Sequence, residues 1–204
     1  MTPPAEGPVL KGFSTAATWL EPVTTWRSPD QSTLVLTAPA RTDRFVDPST
    51  EVVQANSPVW LTPVSSPATL QARVAVDFAD TFDAGVLMVY QARDLWAKLC
   101  FERSPDGRPM VVSVVTRGLS DDANAFTMEA ESVWLRVSVM PTAYAFHAST
   151  DGRVWEMIRF FALGSRGRRR VGLSTQSPVG DTCTATFSEI ELRPGVVDDI
   201  RSGA

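Results

Sequence analysis

The chain has 204 residues, a length at which one domain can bury a substantial core. Its 23 acidic and 19 basic residues are scattered and give a net charge of −4, which argues against a nucleic-acid-binding or cationic membrane-binding surface. The first residues lack the cationic start and apolar run of a secretion signal, and no stretch approaches the roughly 20 apolar residues of a membrane span. We therefore expect a cytoplasmic protein with a single domain over residues 1–204.

Before residue 65 the chain is interrupted by prolines, which predicts short strands and loops. Beyond that point, apolar and polar residues alternate and no long segment has helical periodicity. In the run TLQARVAVDF (69–78), Leu70, Val74 and Phe78 share one face, as in a half-buried antiparallel strand. Further runs of this kind are AGVLMVYQ (84–91), LWAKLCFER (95–103), MVVSVVTR (110–117), SVWLRVSVM (132–140), TAYAFHAS (142–149), RVWEMIRFF (153–161), RRVGLSTQ (169–176) and TCTATFSEIEL (182–192).

Two Asp-Gly pairs separate neighbouring runs, at Asp106-Gly107 and at Asp151-Gly152. This pair tolerates the positive φ of a tight turn, so both positions predict β-hairpins. Successive antiparallel strands of this kind predict an all-β sandwich of two sheets. Residues 194–204 show no packing face and are expected to fray, which leaves a core over about residues 12–193.

The run at 95–103 differs from the others in its even positions. Its odd positions up to Phe101 are apolar and predicted to face the core, so Trp96, Lys98 and Glu102 share the outer surface. Neighbouring runs place further polar and aromatic side chains outward in the same way. If this sheet is curved, these residues line a shallow groove on its concave face. We expect the concave sheet to contain the strands near residues 84–91, 94–103, 109–117, 133–140 and 142–149.

Three short motifs in residues 83–122 point to a known family. They are DAGVLMVY after residue 82, Trp96-x-Lys98-x-x-x-Glu102, and SVVTR ending at Arg117 and followed by Ser-Asp. Together with TDRF upstream, they resemble the regulation-of-enolase-like family, with Asp122 where the family has Trp. The resemblance covers most of residues 12–193. It implies a concanavalin A-like jelly-roll sandwich of two antiparallel sheets, and it implies no particular reaction.

The outward-facing side chains suit a polyhydroxylated ligand, because aromatic rings stack on sugar C–H groups and charged groups bind hydroxyls. We therefore predict non-catalytic recognition of a carbohydrate or small polar metabolite, with neither nucleic acid nor membrane as partner. The predicted roles are stacking for Trp96, binding of hydroxyl or anionic groups for Lys98 and Arg117, acceptance of hydrogen bonds for Glu102 and Asp121, donation or acceptance for His147, and groove walls for Tyr90 and Trp134.

Two other interpretations stay open. A glycoside hydrolase needs two carboxyl groups roughly 5 to 10 Å apart. Glu102 would pair with Asp83, Asp121 or Asp122 of adjoining loops, and Asp121 or Asp83 is the preferred partner. A protein-interaction module is the third possibility, if the groove is flat or filled by a loop. In that case Lys98 and Glu102 are ordinary exposed charges, and a loop covers the tryptophans.

The sequence offers a weak signal for calcium, in loop aspartates such as Asp181 for which turn formation is the better interpretation, and no signal for a cofactor. His147 is the single histidine, so a multi-histidine metal site is excluded, and we predict no metal and no cofactor. The two cysteines, Cys100 and Cys183, are too widely spaced for a metal-binding or redox CxxC motif. They are expected to be reduced, with one bridge between strands as the alternative in an oxidising compartment.

Overall fold

The structure is a computed structural model that describes residues 7–21, 25–164 and 166–204. These residues form sixteen β-strands and no helix, so this part of the chain has no helix that could cross a membrane. The strands are β1 (Thr18–Trp19), β2 (Thr25–Asp30), β3 (Thr33–Pro39), β4 (Arg44–Val46), β5 (Val53–Ala55), β6 (Val59–Pro63), β7 (Ala68–Asp77), β8 (Ala84–Ala92), β9 (Leu95–Arg103), β10 (Pro109–Arg117), β11 (Leu119–Thr127), β12 (Ser132–Val139), β13 (Tyr144–Ser149), β14 (Glu156–Phe161), β15 (Arg170–Gln176) and β16 (Thr182–Pro194).

Two antiparallel sheets of seven strands each make up the fold, which confirms the predicted sandwich. The first sheet has the order β1-β6-β15-β8-β9-β10-β11, and the second has the order β14-β13-β12-β7-β16-β3-β2. Strands β4 and β5 pair only with each other. Consecutive strands are neighbours in part of each sheet, as in β8-β9-β10-β11 and β14-β13-β12, and elsewhere the chain crosses from one sheet to the other.

The core lies between the two sheets and contains the apolar faces that alternation predicts. In the first sheet, Leu99 and Phe101 of β9 are fully buried, as are Leu135 and Val137 of β12 in the second. Burying each such side chain stabilises the fold by about 1.5–3 kcal/mol. The alternation of β9 is therefore confirmed: its odd positions belong to this core.

Both predicted hairpins are present. Gly107 lies in the turn between β9 and β10 with φ of 84°, and Gly152 lies in the turn between β13 and β14 with φ of 73°. Asp151 supports the second turn, because its carboxylate accepts hydrogen bonds from the backbone N–H groups of Arg153 and Val154. The Asp-Gly pairs are thus structural, as turn chemistry indicates.

The sequence did not predict one strand, β11. Strand β11 forms an edge of the first sheet, and most of its residues are exposed. Its sequence, LSDDANAFT, does not alternate, because an exposed edge strand has little apolar surface to bury. This missed strand carries Asp121 and Asp122.

The predicted membership of the concave sheet is wrong for two strands. The strands near residues 84–91, 94–103 and 109–117 are neighbours in the first sheet, as expected, but β12 and β13 belong to the second. Alternation shows which side of a strand faces the core, and it does not show to which sheet the strand belongs. Trp134 and His147 therefore lie on the far side of the sandwich from Lys98 and Glu102.

The prediction that the chain frays beyond residue 195 is also wrong. It lies on the outer face of the second sheet, where His147 Nε2 is hydrogen-bonded to Ile200 O at 2.8 Å and Arg136 Nη1 donates to Gly203 O at 2.8 Å. The Arg136 guanidinium also stacks on Trp155, 3.6 Å from the ring centroid. The tail makes these contacts through its backbone carbonyl groups, so its amino-acid sequence shows no pattern that predicts them.

Candidate functional site

A cavity of about 180 Å³ opens on the outer face of the first sheet, next to the cover formed by residues 42–57. Lys98 and Glu102 of β9 both line it, so the prediction that they share one outer surface is confirmed. The cavity is bounded by Asp43, Phe45, Phe82, Lys98, Glu102, Val112, Val114, Asp122 and Gln176.

The cover is attached to the first sheet at several points. Thr42 pairs with Ser177 through backbone hydrogen bonds, and the backbone N–H of Val46 donates to Ser120 Oγ at 2.9 Å. Phe45 packs against the apolar residues of the outer face, together with Leu20. The cover therefore closes one part of this face and leaves the cavity beside it.

Trp96 and Tyr90 lie under the closed part. Trp96 is 1% exposed and Tyr90 is 6% exposed, and neither lines the cavity. The Arg170 guanidinium also lies over the Tyr90 ring, 4.7 Å from its centroid. The predicted roles in stacking and as a groove wall are therefore wrong for both residues, because the cover turns this aromatic surface into a second core.

Lys98 forms a buried ion pair at the base of the cavity. Its Nζ donates to Asp43 Oδ1 at 3.0 Å and to Gln176 Oε1 at 2.9 Å. Burial lowers the pKa of Lys98, but the carboxylate of Asp43 and the other anionic groups nearby outweigh burial, so that the pKa is raised. Lys98 is therefore positively charged and already bound to partners.

Glu102 is 7% exposed and faces the same cavity. Among the residues that the structure describes, none donates a hydrogen bond to its carboxyl group. Burial raises its pKa to about 8; Lys98 opposes this shift, and the carboxylates of Asp43 and Asp122 add to it. The carboxyl group faces the open cavity, where a donor of a ligand would replace water.

Two predicted site residues, Arg117 and Asp121, are bound to other parts of the protein. Arg117 donates from Nε and Nη2 to Ala162 O, at 2.9 and 2.7 Å, and Asp121 pairs with Arg159 at 2.9 Å. Neither lines the cavity, so their predicted placement is wrong. On β11 it is the next residue, Asp122, that lies opposite Val114 and reaches the cavity.

Asp83, the other carboxylate considered for catalysis, has a structural role. It is fully buried, and its carboxylate accepts hydrogen bonds from the backbone N–H groups of Ala79 and Asp80 and from Ser177 Oγ. Two of these donors belong to the loop before β8, and the third follows β15. Asp83 does not line the cavity, so it is not the partner of Glu102 there.

Sequence reasoning missed several cavity residues that come from loops and strand ends. Phe82 is 39% exposed and adopts a positive φ of 68°, an unusual backbone conformation that often marks functional positions. Asp43 and Phe45 lie in the TDRF stretch, which the family resemblance includes, so that stretch carried a usable signal. Nothing in the local pattern singled out Gln176.

No metal centre is apparent in the described part of the chain, where no three His, Cys, Asp or Glu side chains are grouped to hold an ion. Cys100 and Cys183 are unbridged and buried, as expected. Burial raises the pKa of the Cys100 thiol well above its ordinary value, so this thiol is unreactive.

Residues 19–195 match the family described as Protein of unknown function (DUF1349). The chain belongs to this family. It is also 31% identical over 125 residues to "Regulation of enolase protein 1" of Saccharomyces cerevisiae. That alignment covers 61% of this chain and 63% of the yeast protein, so it spans less than two thirds of either.

Solved structures support the concanavalin A-like fold. A functionally unknown protein from Saccharomyces cerevisiae superposes with a TM-score of 0.81 at 25% identity, over 89% of this chain and 97% of that one. A xylan beta-1,4-xylosidase from Bacillus halodurans C-125 superposes with a TM-score of 0.62 at 14% identity, over 79% of this chain and 32% of that one. At that identity the second likeness shows the fold alone. The predicted jelly-roll sandwich of two antiparallel sheets is confirmed.

Proposed function

We propose that the protein binds one small polyhydroxylated molecule, of the size of a monosaccharide, in the cavity beside the cover, without transforming it. The observation that carries this proposal is the carboxyl group of Glu102, which is buried, faces the cavity and has no hydrogen-bond donor among the described residues. A bound hydroxyl group would supply the missing donor.

The size of the cavity supports a single sugar ring. Pockets for drug-sized ligands range over roughly 300–1,000 Å³, whereas this cavity measures about 180 Å³. In another protein, an engineered cavity of about 150 Å³ holds a benzene molecule. An oligosaccharide chain does not fit such a space, unless only its terminal residue enters.

The lining supports a ligand with both polar and apolar faces. Glu102 and Asp122 are acceptors for hydroxyl groups, and the rings of Phe45 and Phe82 offer surfaces for C–H groups. The β-sandwich of the xylosidase is a carbohydrate-related neighbour in fold. A cytoplasmic location is part of the proposal, and the two unbridged thiols support it, because oxidising compartments favour disulfides.

Isothermal titration calorimetry with a panel of monosaccharides and small polyols tests the proposal. We expect at least one of them to bind, and Glu102→Gln to weaken that binding up to about 10-fold, because the amide nitrogen cannot accept the hydrogen bond of a hydroxyl group. The matched control is Glu129→Gln, because Glu129 is exposed and far from the cavity lining. If no sugar or polyol binds, or if both variants bind equally, the proposal is wrong.

A sugar-active enzyme is the second candidate, and the raised pKa of Glu102, about 8, favours it. A carboxyl group that stays protonated near neutral pH can act as a general acid on a glycosidic oxygen. Asp43 is paired with Lys98, so the second carboxylate available on this cavity is that of Asp122, rather than that of Asp121 or Asp83. Turnover of aryl glycosides that Glu102→Gln abolishes, while sugar binding persists, would support this candidate over binding alone.

The name of the yeast relative supports a third candidate, a protein-interaction module that acts on enolase. The outer face is closed by the cover at Trp96, as this interpretation requires, but the cavity remains beside it. Direct titration of purified enolase against the protein distinguishes this candidate. Binding of enolase together with failure of every small ligand would favour it.

A further inference from the structure

We propose that the ligand of this cavity carries a positively charged ammonium group, as an amino sugar does, and that Glu102 and Asp122 bind this group. The inference deepens the proposed function and rests on it. It concerns the chemical class of the ligand. It follows from the excess of acidic over basic side chains in the lining of the cavity.

The cavity has more acidic than basic groups. Its lining includes three carboxyl groups, those of Asp43, Glu102 and Asp122, and a single cation, Lys98. Asp43 and Lys98 are paired at 3.0 Å, so each compensates the other. Among the residues that the structure describes, none forms an ion pair with Glu102 or Asp122 at the cavity, and a cation of the ligand would supply one.

Lys98 is poorly placed to bind an anionic ligand, although the sequence suggested that role. Two of its three donor positions are used by Asp43 and Gln176, and its side chain is only 4% exposed. An anion in the cavity would also lie beside the carboxylate of Asp122, which repels it. The arrangement therefore disfavours uronic acids and sugar phosphates.

An ammonium group matches the remaining features of the lining. It offers three hydrogen-bond donors and a positive charge to the Glu102 carboxyl group, which is more than nine-tenths buried. The rings of Phe45 and Phe82 also line the cavity, and aromatic rings attract cations. A neutral sugar would satisfy one acceptor of Glu102 and leave the charge balance unchanged.

Proton release gives the inference a distinct signature. The titratable groups that act on Glu102 are Lys98 of β9, Asp43 of the cover and Asp122 of β11. Its partners across the sheet, Ala84 of β8 and Met110 of β10, are apolar. Because the pKa of Glu102 is about 8, the group is mostly protonated at pH 7. A bound cation lowers this pKa, so binding at pH 7 should release close to one proton.

The test compares three probes of similar shape by calorimetry at pH 7: 6-amino-6-deoxyglucose, glucose and glucuronate. We expect the amine to bind at least about 10-fold more tightly than glucose, and glucuronate to bind most weakly. Titrations in phosphate and in Tris, which differ in ionisation enthalpy, measure the released proton. Glu102→Gln should abolish both the release and the preference, and Glu129→Gln should keep both.

The outcomes separate this inference from the function on which it rests. If glucose or glucuronate binds as tightly as the amine, or if the amine binds without proton release, the inference is wrong and the proposed function stands. If none of the three probes binds and the wider panel of sugars and polyols also fails, the proposed function fails as well. Thermal unfolding of each variant shows that it is folded.

Discussion

Two side chains of β9 point away from the core between the sheets, as surface residues do, and yet they are almost fully buried. Lys98 and Glu102 face outward from the sandwich, yet both are buried, because the cover lies over the same face. Charged groups in such a place depend on partners, because the cover limits their contact with water. Lys98 has two partners and the Glu102 carboxyl group has no donor, so the two residues are expected to respond differently to substitution.

Removing the Lys98 ammonium should destabilise the protein strongly. We expect Lys98→Met to lower the free energy of unfolding by about 3–5 kcal/mol, because it leaves Asp43 as an uncompensated, mostly buried charge. Arg108→Met is the matched control, since it breaks the exposed pair with Asp106 and should cost less than about 1 kcal/mol. Urea unfolding measures both changes. Equal losses for the two variants would contradict a structural role of the buried pair.

The raised pKa of Glu102 should appear as a dependence of stability on pH. The folded state binds this proton more tightly than the unfolded state, whose pKa is near 4.5. The penalty for ionising Glu102 is therefore absent below pH 4.5, grows as pH rises, and is complete above pH 8.

We accordingly expect Glu102→Gln to gain stability relative to the unchanged protein between pH 5 and pH 9. The gain can approach about 5 kcal/mol, because each pKa unit corresponds to about 1.4 kcal/mol. Urea unfolding at several pH values, without ligand, measures it. A difference between the two proteins that does not change with pH would show that Glu102 ionises normally.

Among the elements, the cover decides which part of the outer face can bind a ligand. It is a small element of its own, since β4 and β5 pair with each other and not with the main sheets. Its position depends on a few specific contacts, such as the hydrogen bond from the Val46 N–H to Ser120 Oγ. Ser120 is also hydrogen-bonded to Thr116 Oγ1, at 2.8 Å.

Substitution of Ser120 should loosen the cover. We expect Ser120→Ala to cost about 1–3 kcal/mol of unfolding free energy, because it leaves the N–H of Val46 buried without its partner. Ser188→Ala is a suitable control, as its hydroxyl makes a long bond of 3.5 Å in a partly exposed position. Hydrogen exchange at Val46 should also become faster. Unchanged exchange there would indicate that Ser120 does not hold the cover.

At the scale of the whole molecule, the two outer faces carry different structures. The first sheet has the cover and the cavity, whereas the second sheet has the chain end over His147 and Arg136. Burial lowers the pKa of His147, despite its hydrogen bond to the backbone of Ile200, and Arg136 lowers it further. A neutral, buried histidine under the chain end is a structural residue rather than a ligand-binding one.

Removal of residues 197–204 should therefore separate stability from binding. We expect a loss of about 1–3 kcal/mol, because His147 and Arg136 lose their carbonyl partners. Affinity for the cavity ligand should not change, since the packed core lies between the two faces. Urea unfolding and calorimetry on the shortened protein measure the two quantities. Altered ligand affinity would show that the two faces are coupled.

The sequence by itself determined the strands, the turns and the direction of side chains. Period-two alternation is set by strand geometry, so the apolar face of β9 and the shared surface of Lys98 and Glu102 were predictable. The turns at Asp106-Gly107 and Asp151-Gly152 were predictable for an equally local reason, the positive φ of glycine. The resemblance to the family predicted the concanavalin A-like fold.

Only the tertiary structure decided which of these side chains meet. Sheet membership depends on crossings of the chain, which moved Trp134 and His147 to the far side of the sandwich. The cover buried Trp96, and the loop before β4 brought Asp43 to Lys98 across 55 residues. These are contacts between segments distant in sequence, and no local pattern encodes them, because the energies that select them arise only when the segments pack together.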